Sequence, residues 1–277
     1  MKIILAKNIK KDIEKSIYDL FENYANELNI HITFANDLTQ LEELLNDDNK
    51  YECVAIFGGD GTMLIYSHIC SKYDMPILAI NMGKVGFLSQ LELNDIKKGL
   101  ELLKAGNFYL DTRSMLKVSY KDHSVEALNE VILCNKERKG TISLNVWIDS
   151  EFVDTYVGDG IILSTPTGST AYSLSAGGPI VYPDLDVTML TPLCAHSLRH
   201  CPIVFSGDTS IRVETNQNAE CYVDGVFLQW EVERSIPIMV SKSNKVAKFV
   251  KFKHSTFFSK LFKKLSIWNN PEAEVNL

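Results

Sequence analysis

The sequence predicts an N-terminal α/β domain built on a parallel sheet, followed by a β-rich C-terminal domain. Three observations carry that prediction. Strand-like and helix-like runs alternate from residue 2 to about residue 106. From Phe108 to about Phe252 the texture changes to short β-like runs punctuated by Gly, Asn and Asp. The length of 277 residues, 45% of them hydrophobic and 23% charged, provides for two ordinary cores rather than wholesale disorder.

Residues 2–6 read as a buried strand, and Ile13, Ile17, Leu20, Phe21, Tyr24 and Leu28 follow at helical spacing. His31–Phe34 is a second strand, and Leu38 to Leu45 a helix with Leu41, Leu44 and Leu45 on one side. Residues 53–57 form a third strand, 62–70 a third helix and 76–80 a fourth strand. Asn94 or Asp95 caps a helix running to about Ala105 and ended by Gly106. Such alternation implies a parallel sheet covered on both faces. In the second half, strands are expected at 115–120, 131–134, 142–148, 161–164, 203–205, 211–214 and 246–252, with a helix from Ser169 to Ala176 closed by Gly177-Gly178-Pro179. The last stretch, Thr256 to Trp268, is amphipathic and basic, with the spacing of a terminal helix that docks on its own protein rather than on a membrane. The expected divisions are 1–106, 107–253 and a helical tail, 254–277, docking on the first domain.

The formal net charge of −7 argues against a nucleic-acid-coating protein. The apolar start, Met1–Ala6, turns polar at Lys7 and is too short for a signal segment, and no apolar run approaches a membrane span. Six cysteines without a C-x-x-C pair fit buried thiols in a reducing cytoplasm.

The chemistry concentrates in two places. Gly58-Gly59-Asp60-Gly61 joins a strand to a helix. Glycines let the backbone approach a ligand closely, amides at a helix start attract phosphate, and a lone Asp among them is a candidate base or metal ligand. The bland alternative is a capped turn. The next strand also ends in a Gly-bearing loop, Asn81-Met82-Gly83-Lys84-Val85-Gly86-Phe87, so both loops lie at the carboxyl end of one sheet, where open α/β sheets bind ligands. Lys84 could reach a phosphate there, as could the amides of Gly58 and Gly59, and Phe87 could flank a planar ring or simply fill the core. The second place is the run from Gly158 to Ser173, in which six hydroxyls (Ser164, Thr165, Thr167, Ser169, Thr170, Ser173) crowd one turn where a single helix cap needs one. Tyr172 adds a flat face with a polar tip, and Ala171 is small enough to let a ring approach. The Asn129-Glu130 pair offers an amide and a carboxylate at a strand entry. Cys194, His196, His200 and Cys201 cluster in sequence, but Pro192 and Pro202 flank them without an H-E-x-x-H pattern, and no metal ligand is assigned.

Taken together, Gly58-Gly59-Asp60-Gly61, Asn81 to Leu88, Asn129-Glu130, Ser164 to Tyr172 and Ser175-Ala176-Gly177-Gly178-Pro179 resemble the NAD kinase family over about residues 50 to 230, and His196-Ser197-Leu198 and Asp224-Gly225 match later landmarks. The Ser164–Tyr172 run is the specific part, since lipid kinases and phosphofructokinases share a Gly-Gly-Asp turn. The resemblance implies a two-domain fold and phosphoryl transfer from ATP or polyphosphate to the 2′-hydroxyl of the adenosine ribose of NAD, making NADP. It implies Asp60 as general base and Gly61 as a point of close backbone approach. It gives Asn129 and Glu130 contacts to hydroxyls of the nicotinamide-side ribose. It places Phe87, Asp159, Thr170, Ala171, Tyr172, Ser173, Leu174 and Ser175 around the dinucleotide. A divalent metal, Mg²⁺ above all, and a homo-oligomer (dimer or tetramer) follow from it too. Val157, Ala195 and Val226 stand where the family often has a basic residue, Pro, and Gln or His, and Arg199 is separated from Pro202; these departures bear on phosphate handling and subunit contact, not on the base. The competing readings are a lipid or other small-molecule kinase with the same turn, and a non-catalytic dinucleotide sensor.

Overall fold

The computed structural model describes residues 1–8, 13–47, 50–82, 86–136, 140–197, 200–252 and 257–269. The chain divides into two compact units, Met1–Thr112 with Ala247–Leu277, and Arg113–Val246.

The first unit has the expected α/β alternation: β1 Lys2–Ala6, α1 Lys15–Glu27, β2 His31–Ala35, α2 Leu38–Asn46, β3 Cys53–Phe57, α3 Asp60–Lys72, β4 Ile77–Asn81, the two-residue β5 Leu91–Glu92 and α4 Ile96–Lys104. The strands run parallel in the order β4-β3-β1-β2. Every residue of β3 and all but one of β1 and β4 are buried, the unbroken apolar run of strands covered on both faces. The helices bury narrow stripes. In α1 the stripe is Tyr18, Phe21 and Ala25, whereas Leu20, which the spacing placed on the apolar face, is exposed. In α2, Asp37 caps the helix by accepting from the Gln40 N–H at 2.8 Å, and Leu41 and Leu45 are buried one turn apart. Phe21 and Tyr18 meet Phe57 edge-on at 5.8 and 5.4 Å, within a core that also holds Ile3, Leu5, Leu78 and Leu100.

The second unit is β-rich. After β6 Tyr109–Tyr120 come β7 His123–Ala127, β8 Glu130–Asn135, β9 Ile142–Ile148, β10 Glu151–Gly158, β11 Gly160–Ser164, a helical turn α5 Tyr172–Ser175, β12 Val187–Leu193, β13 Ile203–Ser206, β14 Ile211–Thr215, β15 Ala219–Val223, β16 Val226–Val232 and β17 Ile238–Lys251. One antiparallel sheet has the order β13-β12-β11-β8-β15-β16. A second antiparallel set runs β10-β9-β14 and on to Ile238–Val240 of β17. Val131, Leu133, Ile161 and Cys221 from the first set and Leu144, Val146, Ile211 and Val213 from the second share one core. The end of β17 belongs to the first unit, where Phe249 pairs in parallel with Ile77, and the final helix, α6 Phe257–Asn269, follows there.

The expected helix from Ser169 to Ala176 is broken. A 3₁₀ turn covers Gly168–Thr170, Ala171 leaves helical geometry at φ −100 and ψ −133, and only Tyr172–Ser175 makes an α-turn. The cause is local: Ser169 and Thr170 hydroxyls donate to the Pro166 and Thr167 carbonyls, offering the backbone an alternative to a regular helix.

Candidate active site

In the first unit Asp60 is the first residue of α3, directly after the glycine pair that leaves β3. Gly59 is the N-cap, and its carbonyl accepts the Thr62 and Met63 N–H groups at 2.9 and 3.1 Å. Gly58 donates to Ile80 O at 2.9 Å, so the turn is tied to the end of the neighbouring β4. Asp60 in turn receives the second Gly-bearing loop: Oδ2 accepts the Phe87 N–H and Oδ1 the Leu88 N–H, each at 3.1 Å. Gly86 permits that approach, since a Cβ there would sit 2.7 Å from Asp60 Oδ1 and 2.7 Å from Ser89 Oγ. A third donor comes from the chain's far end, where Lys264 Nζ of α6 lies 2.9 Å from Oδ2. Lys260 donates to Ser89 O at 2.8 Å, and Lys251 donates to Leu88 O. Phe87 packs against Phe257 at 6.1 Å and carries Lys264 Nζ over its ring at 4.4 Å, so its ring is occupied by α6 in this structure. Beyond the carboxyl ends of β1 and β2 lies a cavity of 700 Å³ lined by Lys7, Asn8, Lys15, Tyr18 and Asn36 among others. Asn8 donates to Phe57 O at 2.7 Å and so ties this cavity's wall to the residue before the glycine turn. Lys84 lies outside the described residues, as do Leu198 and Arg199.

In the second unit Asn129 and Glu130 are fixed by an unexpected residue. Asp224 accepts three consecutive amides, Leu128 at 2.7 Å, Asn129 at 2.7 Å and Glu130 at 3.1 Å. It sits in the Asp224-Gly225 hairpin between β15 and β16, with both residues at positive φ (48 and 77) as a two-residue turn of that kind requires. The signal was present as Asp-Gly between alternating runs. Glu130 is 5% exposed, and its Oε2 is buried with no hydrogen-bond partner. Burial, then the negative charge of Asp224, pushes its carboxyl up to about 8, with the Tyr172 backbone N–H pulling the other way.

The hydroxyl-rich turn is stitched to the same place. Thr165 N donates to Asn129 O at 2.9 Å, and Thr165 Oγ1 donates to Leu128 O at 2.6 Å while accepting Gly168 N at 3.1 Å. All but one of these hydroxyls, expected to meet a ligand, have partners within the protein. Ser169 donates to Pro166 O at 2.7 Å, Ser173 pairs with Thr191 at 2.9 Å and Thr170 reaches Thr167 O at 3.4 Å. All six are buried, and of the six only Ser164 Oγ has no hydrogen-bond partner. They build the turn, because a sharp loop inside a core must satisfy its own carbonyls. What the turn exposes is Tyr172, 47% accessible. It lines a groove of 480 Å³ with Ile132, Cys134, Asp159, Leu193, Glu220 and Tyr222, a volume within the range of small-molecule sites. Asp159 hydrogen-bonds the Cys194 thiol and raises it. Among the described residues no three of His, Cys, Asp and Glu gather as a metal site, and His200 is bonded to Asp154 at 3.2 Å instead.

The Glu130 shift has a sign that can be measured. Unfolded, the carboxyl titrates near 4.5; folded, it keeps its proton to about 8. Between those values the native state holds a proton that the unfolded chain has lost, so its contribution is fully present below 4.5 and declines as pH rises towards 8. Glu130→Gln, neutral at every pH, is expected to be more stable than the wild type at pH 8 and to lose less between pH 5 and 8 in urea unfolding. Parallel curves for the two proteins would refute a protonated Glu130.

The first unit sets a carboxylate at a glycine-bordered helix start, and the second provides a partly apolar groove lined by Tyr172. Residues 3–108 match the ATP-NAD kinase N-terminal domain and residues 128–252 the ATP-NAD kinase C-terminal domain. The chain belongs to the NAD kinase family. It is 36% identical over 270 residues to the NAD kinase of Clostridium botulinum (strain Loch Maree / Type A3), covering 94% of each chain. To the NAD kinase of Caldanaerobacter subterraneus subsp. tengcongensis it is 36% identical over 226 residues, 79% of this chain and 80% of that one. Among solved structures, an Archaeoglobus fulgidus NAD kinase in complex with ATP superposes with a TM-score of 0.79 at 27% identity, covering 96% of this chain and 99% of that one. Yeast NADH kinase complexed with NADH shares the fold with a TM-score of 0.82 at 24% identity, over 96% and 87% of the two chains.

Proposed function

We propose that the protein transfers the terminal phosphoryl group of ATP to the 2′-hydroxyl of the adenosine ribose of NAD, producing NADP, with Asp60 as general base. The carrying observation is the Asp60 carboxylate, held by two loop amides at the start of α3 beside the Gly58–Gly59 turn. A ribose hydroxyl is a weak nucleophile at neutral pH, and a positioned carboxylate contributes about 10²–10⁴-fold. The Asp60 and Gly61 amides, which precede the first backbone hydrogen bonds of α3 from Thr62 and Met63 to Gly59 O, suit the donor phosphates. For the dinucleotide, Tyr172 supplies a ring face. Protonated Glu130 offers donor and acceptor to a sugar hydroxyl, and its orphaned Oε2 supports that assignment. Asn129, Asp159, Ala171, Leu174 and Ser175 border the same groove or its turn, and Thr170 and Ser173 act there through their backbone, their hydroxyls being engaged.

A divalent metal fits this chain as a passenger on the donor. Mg²⁺ keeps much of its water and binds through one or two carboxylates and the substrate's phosphates, and the described residues hold no larger acidic cluster. Bound so, it would neutralise charge on the phosphoryl group. EDTA is expected to abolish NADP formation and excess Mg²⁺ to restore it; turnover undiminished in EDTA would remove the metal from the scheme. NADP formed from NAD, Mg²⁺ and either ATP or polyphosphate tests the whole reading, with diacylglycerol and sphingosine as rival acceptors. NAD binding without consumption of the donor would mark a sensor instead.

A homo-oligomer is supported by exposed Tyr182, Leu185, Val204, Val226 and Phe227 in the second unit. A cytoplasmic site is supported by the buried thiols of Cys53, Cys70 and Cys221, which burial raises above the usual thiol range. No described helix is long and apolar enough to cross a membrane.

A further inference from the structure

We propose that Lys264, on the last helix, is a positioning residue for Asp60: it occupies Oδ2 and so selects Oδ1 as the oxygen that receives the acceptor hydroxyl's proton. The proposal rests on the reading of Asp60 as the base. It follows from counting donors. A carboxylate offers about four lone-pair sites, two on each oxygen. Oδ2 accepts both Phe87 N at 3.1 Å and Lys264 Nζ at 2.9 Å, whereas Oδ1 accepts Leu88 N alone at 3.1 Å. One lone pair remains, and it belongs to Oδ1.

A Cβ at residue 86 would stand 2.7 Å from Oδ1 and 2.7 Å from Ser89 Oγ, so glycine there is what spares Oδ1 a clash. Ser89 is 4% exposed, and its Oγ has no hydrogen-bond partner. Oδ1 is therefore neighboured by a second, buried polar atom whose hydrogen-bonding capacity is unused. Oδ2 faces the ammonium.

Lys264 is held in that role. Leu261, one turn before it, is buried at 3% exposure, and Lys260 fixes α6 to Ser89 O at 2.8 Å. The Phe87 ring, with Nζ 4.4 Å from its centroid, gives the ammonium a second contact besides the carboxylate. The pair is half-buried, with side chains 23% and 26% exposed, so it is less screened than a surface ion pair. In the reaction the 2′-O–H bond breaks and its proton passes to Oδ1. The 2′-oxygen bonds to the terminal phosphorus of the donor, and the bond from that phosphorus to the bridging oxygen breaks, its electron pair leaving with ADP. Lys264 takes no part in these bond changes; it determines which oxygen is available to them.

The test uses the full chain in steady-state assays with NAD and Mg²⁺-ATP. Lys264→Met is expected to lower kcat roughly tenfold to a hundredfold, the loss typical of a small misplacement at a reacting centre, and to leave the KM for NAD within about twofold. Lys264→Arg, which keeps the charge and a donor, recovers most of the loss, and Lys263→Met, on an exposed neighbour, matches the wild type. Thermal unfolding of each variant accompanies the kinetics. In an Asp60→Asn background Lys264→Met should cost nothing further, because both act through one carboxylate. A Lys264→Met enzyme as fast as the wild type or faster overturns the proposal, the second case making α6 a brake. An additive double variant overturns it as well. If Asp60→Asn itself turns over normally, the base assignment falls first, and the two failures are told apart by that single variant.

Discussion

Asp60→Asn is expected to retain NAD binding and to lose about 10²–10⁴-fold in turnover, the range of general-base assistance. The substitution is nearly isosteric, so α3 and the glycine turn keep their geometry. Two things change. The amide cannot accept a proton, and its NH₂ must face donors, since Phe87 N, Leu88 N and Lys264 Nζ all point at the carboxylate. Placing a donor against donors adds a local penalty of about 1–3 kcal/mol, which thermal unfolding will register as a modest drop. The decisive measurement pairs NADP formation with equilibrium titration of NAD. Turnover within a few-fold of the wild type would remove Asp60 from the chemistry altogether, and loss of NAD binding in step with turnover would make it a binding residue instead.

The second large effect is expected at Gly168. A Cβ there would lie 2.2 Å from the carbonyl oxygen of Asn129 and 2.6 Å from its carbonyl carbon. These are backbone atoms at the entry to β8, and they cannot swing aside as a side-chain tip can. Thr165 N already donates to that same carbonyl at 2.9 Å. Gly168→Ala therefore has to push the hydroxyl-rich turn and the Asn129-Glu130 entry apart. Overpacking of this kind costs about 3 kcal/mol, which in a protein of this size lowers Tm by roughly 6–12 °C. Because the displaced segment carries Glu130, the KM for NAD should rise more than kcat falls. An alanine variant with wild-type Tm and KM would show that the turn yields freely and that its close contact has no functional part.

How much of this was legible beforehand depends on the range over which each signal acts. The parallel sheet was readable because β1, β3 and β4 are buried on both faces and so appear as continuous apolar runs. The turn carrying Asp60 was readable because an apolar run, a glycine pair and a helix-like segment follow one another directly. The β15–β16 hairpin has its mark in the sequence, Asp224-Gly225 between alternating residues, a pair that also resembles a family landmark. Asp224's hold on three amides of residues 128–130 joins positions 94 to 96 apart in sequence, beyond any periodicity. Six hydroxyls are countable in residues 164–173, but their partners are not. Composition shows how many polar groups a turn carries, but not whether its own carbonyls will claim them.

The contact between Lys264 and Asp60 spans 204 residues and joins the two separate segments of one unit. Its consequence is one of timing. Residues 1–112 of the first unit leave the ribosome early, but Phe249, which pairs with β4, and α6, which completes the donor set of Asp60, arrive only after all of Arg113–Val246 has been made. Domains fold largely as they emerge, N-terminal parts first. The glycine turn can therefore form on an unfinished chain, while the surroundings of its carboxylate wait for the final segment. A protein cut short before α6 would carry a recognisable fold around a carboxylate lacking one of its three donors.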